Sequence, residues 1–551
     1  MIAVLPEEIE ELKKLVLVKD DIIQAKETYI SELEKKTEIL NEKIKLLERS
    51  RFGRSSEKWT KEDLAQQKLF NEAEIEATEV DEDSKGAEII TVSAHPRSKP
   101  NRQKKISDEV PRVIVEHKLS EEERRCPKID CPHYDECQKL RPVLSKEETE
   151  ELKFIPAKVE AINHVRYSYG SIKCKYFEDE ENIPAVISAP REKRLIPGSM
   201  ATPSLLSYVA VSKFSDALPF YRQERLFARI GIQISRQTMS NWMIKASGGI
   251  ESFIGLLGEM ILESQLLNMD ETTLQVLNEV DKPVSSKSYM WVRVGTSIDR
   301  NTGEKRIIIL FNYFRDRSKK RAETLTKGYE GVIQTDGYTG YKETGAKKEI
   351  WHVGCWAHAR RKFYDAYKGS TNGKLAVTGL GYIKKLYAIE TRLRKEELTP
   401  EEFVLRRKKE AIPVLKNFRV WLRKKSEVVV PESLAGKAIK YALNEYVKLV
   451  RYLKYDFITP DNNAAERSIK PFTIGRKNWL FQNTPKGAYA SATMYSLVET
   501  AKANNLEPFK YLEKVFDEVP KCTDREDLEK LLPWNVTGVP SFKIIHQNDT
   551  S

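Results

Sequence analysis

Between residues 264 and 314 the chain changes period. Three apolar runs, LLNMDETTLQVL (266–277), SYMWVRVG (288–295) and KRIIILFNY (305–313), follow one another at hairpin spacing. Runs of this length, rich in β-branched and aromatic residues, read as the strands of an antiparallel meander. A helix follows around Lys319–Lys327. A short strand, Val332-Ile333-Gln334, then runs into Thr335-Asp336, and another spans Glu349–Val353. The stretches on either side, 200–248 and 357–455, have helical character and carry many charges. Strands framed by helices in this order predict a multidomain α+β chain.

Residues 9–47 hold a second constraint. Ile9, Val16, Ile23, Ile30, Thr37 and Ile44 recur every seven residues, as do Leu12, Lys19, Lys26, Leu33, Leu40 and Leu47. β-branched residues at a with Leu at d favour a parallel two-stranded coiled coil. An amphipathic helix packed on its own domain is the other reading, but five to six heptads exceed what such a helix needs, so self-association is expected. Arg51 and Arg54 then bracket Phe52 and Gly53. This group suits a DNA groove, and equally a solvated basic turn. Residues 62–88 carry ten acids against two lysines, and 95–105 five basic residues and no acid. Such blocks rarely pack, which makes this segment a linker.

At 551 residues the chain has room for three or four domains of about 150 residues. A hydrophobic fraction of 40% excludes a wholly disordered chain. The net charge of +11 favours a polyanionic partner, weakly at this length. No run of eighteen apolar residues is present, and the N-terminus turns acidic within seven residues. Neither a membrane span nor a signal peptide is expected. Six unevenly spread cysteines fit a reduced, cytoplasmic compartment rather than a disulfide framework.

Cys126, Cys131, Cys137 and Cys174 could supply a closed Zn²⁺ site, although their spacing lacks paired C-x-x-C knuckles and metal-free thiols fit as well. RQERLFARIGIQISRQTMSNWMIKAS (222–247) reads as helix, tight turn at Gly231, helix. Ser235 would cap the second helix, and Arg236, Gln237 and Asn241 near its start would suit a major-groove reader. A helical hairpin with no DNA role is the alternative.

Three carboxylates stand out. Asp270 lies in the first strand, Asp336 just past the fourth, and Glu466 on a helix after Pro460. Carboxylates from separate elements can hold paired divalent ions for phosphodiester chemistry. Each also has a plain structural role: a solvated strand end, an Asp-Gly hairpin turn, or the partner of an Asn463 N-cap. Arg467, Lys470, Arg476, Lys477 and Lys486 are interleaved with Phe472, Trp479 and Phe481 downstream of Glu466. They suit a surface that meets phosphates and stacks on unpaired bases, or a basic surface over core aromatics. Cys355 and His358 form a C-x-x-H pair with His352 nearby, which suits either a metal or the packed start of a helix.

The motifs RFGRSSEK (51–58), LPFYRQERLF (218–227), MDETTLQVL (269–277), QTDGYTGY (334–341), HVGCWAHARRKFYDA (352–366), DNNAAERSIKPFTIGRKNWLF (461–481) and LLPWN (531–535) together resemble the large transposase subunit of the insertion-sequence-sixty-six family of bacterial mobile elements. The resemblance implies an RNase H-like core with a DDE triad at Asp270, Asp336 and Glu466. It implies two Mg²⁺ or Mn²⁺ ions, and DNA partners in the element's inverted repeats and its target. Small accessory proteins of the element and a nucleoid location follow from the same likeness. The family's zinc-finger-like segment matches imperfectly, since Phe177 stands where a last cysteine would.

The implied organisation is a coiled coil over 1–50 and a basic turn and linker over 51–110. A zinc-finger-like DNA-binding domain (111–190) and a helix-turn-helix region (191–260) come next. The core occupies 261–369 and 456–515 around a helical insertion (370–455), and a tail spans 516–551. The implied function is cleavage of the element's 3′ ends and their joining to target DNA. A catalytically silent, transposase-derived DNA-binding protein and a hydrolase of another polymer are the alternatives.

Overall fold

The computed structural model describes residues 6–52, 159–170, 186–188 and 192–541, apart from 284, 300–301 and 370–372. The chain divides into two compact units, Met1–Glu76 with Glu192–Ser551, and Ala77–Arg191. The first element is α1 (Pro6–Phe52), a helix of 47 residues. The heptad residues described on it, Val16, Ile23, Ile30, Leu33, Leu40, Ile44 and Leu47, are all exposed. Glu42 of this helix accepts a hydrogen bond from the Leu434 amide at 3.2 Å. In the second unit, β1 (Ser168–Gly170) and β2 (Val186–Ser188) pair antiparallel.

Four helices then lead to the sheet: α2 (Pro203–Phe214), α3 (Phe220–Arg229), α4 (Arg236–Gly249) and α5 (Glu251–Met260). The turn between α3 and α4 needs Gly231, whose φ is +81°. Ser235 caps α4, its hydroxyl accepting from the Thr238 amide at 3.1 Å. Phe227, Met239, Trp242, Met243 and Ala246 are buried at helical spacing and pull this pair onto the core.

The sheet contains β3 (Leu266–Leu274), β4 (Ser288–Ile298), β5 (Lys305–Phe314), β6 (Gly331–Gln334) and β7 (Ile350–Val353), with α6 (Lys319–Leu325) before β6. Its order is β5-β4-β3-β6-β7. β3, β4 and β5 form the antiparallel meander, and β6 and β7 add parallel to β3. β6 and β7 are therefore not a hairpin, and Asp336-Gly337 is not a hairpin turn.

Successive residues serve two cores. Leu267 and Ile333 pack with the helices flanking the meander, whereas Leu266, Val332 and Val353 face a second cluster. That second cluster is built by α7 (Trp356–Gly369), α8 (Lys374–Leu393), α9 (Pro400–Ser426) and α10 (Leu434–Val450). Arg407 is wholly buried in it. It donates to Glu390 Oε1 at 2.6 Å and to the carbonyls of Tyr452 at 2.9 Å and Tyr455 at 2.8 Å. A buried guanidinium with this many acceptors fixes the path of the chain as it returns to the sheet.

Helices α11 (Asn463–Trp479), α12 (Pro485–Ala503), α13 (Pro508–Glu518) and α14 (Arg525–Glu529) complete the fold. α12 covers β5, and its side chains complete the edge strand. The Phe311 amide donates to Ser496 Oγ at 2.8 Å, the Ile309 amide to Thr500 Oγ1 at 2.9 Å, and the Ile307 amide to Asn504 Oδ1 at 3.1 Å. The i, i+4, i+8 spacing of these three residues lets one helix face satisfy a row of strand amides that would otherwise invite another chain. α13, Leu531 and Leu532 belong to the buried core, so much of the segment expected as a tail is packed.

Candidate active site

Strand register sets the site. Asn268 on β3 lies opposite Gln334 on β6, and Gln334 lies opposite Val353 on β7. Side chains alternate, so Asp270 shares the β3 face of Asn268, and Asp336 follows two residues after Gln334, just past the end of β6 and near enough for its charge to act on Asp270. Asp336 closes a tight loop, with Oδ1 accepting from the Tyr338 amide at 3.0 Å. Glu466 is in the first turn of α11.

A buried amide network joins the three elements. Asn268 Nδ2 donates to Gln334 Oε1 at 3.0 Å and to Asn462 Oδ1 at 2.9 Å. Asn462 Nδ2 donates to the Met269 carbonyl at 2.8 Å, and Gln334 Nε2 to the Thr459 carbonyl at 2.8 Å. Asn268, Gln334 and Asn462 are all buried. Each precedes a carboxylate, by two, two and four residues respectively. The network therefore holds the start of α11 against the strand that bears Asp270. Asn462, rather than Asn463, stands at the N-cap position, and its side chain is spent on β3 instead of the helix.

The electrostatics are those of crowded acids. Burial pushes Asp270 well above the usual carboxylate range, and the charges of Glu271, Asp336 and Glu466 push it the same way. Glu271 is also raised by burial, against the opposing pull of Tyr341 and Arg317. Arg317 donates to Glu271 Oε1 at 2.6 Å and lies 3.9 Å from Asp336 Oδ2. Its guanidinium sits 3.6 Å above the Tyr338 ring, which fixes it at the rim. Glu466 Oε1 has no hydrogen-bond partner among the described residues. A carboxylate oxygen without a donor, beside two further acids, is a donor set suited to hard divalent cations.

On the helix pair around Gly231, Arg236, Gln237 and Asn241 are exposed on α4. Arg467 and Lys477 are exposed on α11, with Lys470 half-buried. Arg476 has a different position. It donates to Thr272 Oγ1 at 3.1 Å and to the Thr273 carbonyl, tying α11 to β3. Trp479 packs edge-on against the buried Phe472 ring at 5.6 Å, on the core side of its helix. His352 is buried, with Nε2 2.8 Å from Thr335 Oγ1, and stands apart from the Cys355–His358 pair. The side chain of Arg51, together with Arg54, Cys126, Cys131, Cys137 and Cys174, lies outside the described residues.

The Transposase IS66 family matches residues 198–490, more than half of the chain and all three carboxylates. The chain belongs to the IS66 transposase family. The IS66 C-terminal element matches residues 496–534, and a region described as Transposase C of IS166 homeodomain matches 39–115. Two curated proteins of Sinorhizobium fredii (strain NBRC 101917 / NGR234) are similar. Uncharacterized protein y4qI is 31% identical over 73% of each chain. Uncharacterized protein y4jD is 30% identical over 70% of this chain and 75% of its own.

Sequence reading had missed several residues of this IS66 family member's site. Asn268, Gln334 and Asn462 carry the network, Arg317 and Tyr341 hold Glu271 next to Asp270, and Arg317 also approaches Asp336. One signal was present: an amide two residues before each aspartate, in NMD and QTD, shares its strand face. Among the described residues no helix is long and apolar enough to cross a membrane.

Proposed function

We propose that the protein is a DNA transposase acting through an RNase H-like core, with Asp270, Asp336 and Glu466 as its DDE triad. The observation that supports this reading is the buried network in which Asn268, Gln334 and Asn462, each a few residues ahead of one of these carboxylates, join β3, β6 and the start of α11. The mixed sheet, three antiparallel strands followed by two parallel ones, supports the core assignment.

Asp270, Asp336 and Glu466 would hold two Mg²⁺ or Mn²⁺ ions, whose chemistry is to activate the attacking oxygen and offset charge on the leaving one. The protein's own residues bind and orient the DNA. α4 presents Arg236, Gln237 and Asn241 to the ends, and Arg467, Lys470 and Lys477 meet backbone phosphates. Arg317 lies close enough to Asp336 to offset part of the acidic charge. Water first attacks the phosphorus at each element end and the P–O3′ bond breaks, freeing a 3′-OH. That hydroxyl then attacks target phosphorus, forming a new P–O3′ bond as the target strand's own P–O3′ bond breaks. The exposed heptad face of α1 supports self-association of two copies in the paired-end complex.

Incubating the protein with labelled DNA carrying the ends of its own element and Mg²⁺ tests the proposal. End-specific nicking and strand joining are expected. Asp270→Ala, Asp336→Ala and Glu466→Gln should each abolish both while end binding persists. Wild-type nicking by any of them removes that residue from the triad.

A further inference from the structure

The row begun by Asp270 and Asp336 has a third place. Val353 is in register with Gln334, so Cys355, two residues on, stands beyond β7 as the aspartates stand on β3 and beyond β6. Its sulfur is buried immediately before α7. It accepts a hydrogen bond from the Asn462 amide at 3.2 Å and another from the amide of His358. Burial, with the charges of Glu466 and Asp461, pushes the Cys355 thiol up despite these amides, so a metal ion bound here would displace its proton. One turn along α7, His358 Nδ1 lies 3.5 Å from Glu466 Oε1. Neither atom has a hydrogen-bond partner among the described residues. A ring nitrogen and a carboxylate oxygen that face each other without another partner are a pair of donors that a cation can bridge.

We propose that Cys355 Sγ, His358 Nδ1 and a Glu466 carboxylate oxygen form a site for one transition-metal ion of the Zn²⁺ class. The three donor atoms lie within 4.8 Å of one another. Bonds of about 2.3 Å to sulfur and about 2.0–2.2 Å to nitrogen and oxygen place tetrahedral donors roughly 3.3–3.8 Å apart. The histidine–glutamate edge already has that length. Small rotations of the partly exposed His358 and Glu466 close the rest around the fixed sulfur. A thiolate and an imidazole select Zn²⁺ or Co²⁺ over Mg²⁺, which prefers oxygen. Three protein donors leave a fourth position for water. Because Glu466 is shared, Zn²⁺ bound here withdraws it from the aspartates and opposes Mg²⁺-dependent cleavage. That consequence, unlike the binding itself, rests on the triad assignment.

Co²⁺ titration of the full-length protein tests the site by optical absorption. Wild type should bind one more equivalent than Cys355→Ser or His358→Gln. It should show a thiolate-to-cobalt charge-transfer band and tetrahedral visible bands that the variants lose, with Zn²⁺ displacing the Co²⁺. Subtracting the variants removes any signal from the remaining cysteines. His358→Gln changes a partly exposed ring and preserves the fold if Cys355→Ser does not. Equal stoichiometry and equal bands in wild type and His358→Gln overturn the proposal, even if Glu466→Gln abolishes nicking. Full nicking by Glu466→Gln, with the cobalt difference intact, overturns the triad and leaves the metal site standing.

Discussion

Replacing Asn462 with Ala should loosen the site without touching a carboxylate. The change severs two buried hydrogen bonds, from Asn268 Nδ2 at 2.9 Å and to the Met269 carbonyl at 2.8 Å. Each leaves a buried partner unsatisfied, at about 1–3 kcal/mol apiece, so the local cost is about 2–6 kcal/mol. The loss should appear as faster amide hydrogen exchange along β3 around Met269 and Asp270, where opening free energy is read directly. End cleavage should fall at least about tenfold because Glu466 is no longer held against β3, the equivalent of about 1.4 kcal/mol of misplacement. Binding of DNA ends through α4 should be unchanged. Asn462→Asp keeps the acceptor for Asn268 but loses the donor to Met269, and it adds a buried charge, so it should rescue nothing. A change in opening free energy below about 1 kcal/mol, with cleavage within twofold of wild type, would refute the idea that this network positions the triad.

Burial pushes Asp461 up to about 6. The folded protein therefore holds this proton over a range where the unfolded chain has released it, and stability drops as pH rises from about 4 through 6. Asp461→Asn should be neutral near pH 4 and stabilising by up to about 3 kcal/mol at pH 7.5, measured by denaturant unfolding at both pH values. A gain of equal size at both would assign the effect to something other than titration. On α1, the double change Ile23→Asp with Leu40→Asp should lower the mass seen by light scattering, and an unchanged mass would show that the exposed seam is not an interface. For DNA, Lys477→Ala should reduce the salt slope of binding by about one while sparing sequence preference. Asn241→Ala should cost about 1–3 kcal/mol on the element's own ends and much less on unrelated DNA, as judged by competition binding.

The meander was legible because its strands are long and apolar, and their bounds differ from the reading only at the ends. The first run was read through Leu277, but β3 stops at Leu274, and Val276 instead bridges to Gln482. The helix pair around Gly231 was legible for a local reason, a glycine turn followed by a serine cap. The parallel register was not. No local pattern announces that Asn268 will face Gln334, because that pairing is fixed by strands joined through a distant crossover. The amide network was hidden for the same reason: Asn462 looks like an ordinary polar residue ahead of a helix until β3 is placed beside it. Arg476 and Lys477 are neighbours with the same charge, yet one is tied to β3 and the other is exposed. Which side of α11 faces the sheet depends on the packing of Ile469 and Phe472, and an arginine among lysines carries no mark of it. The motif spacing brought out Cys355 and His358 as a pair but could not show that their third neighbour would be Glu466.

The amides of β5 wait for Ser496, Thr500 and Asn504, and α2 and α4 wait for α13 and α12, all from residues that leave the ribosome well after the strands and helices they cover. During synthesis the meander's outer strand is therefore open and the buried faces of α2 and α4 have nothing to cover them. A message truncated before codon 496 yields a polypeptide with an unprotected strand edge and exposed apolar helices, a substrate for proteases and aggregation. Gene copies decaying by premature stop codons would thus fall silent outright, instead of leaving behind stable fragments that occupy the element's ends and block the intact protein.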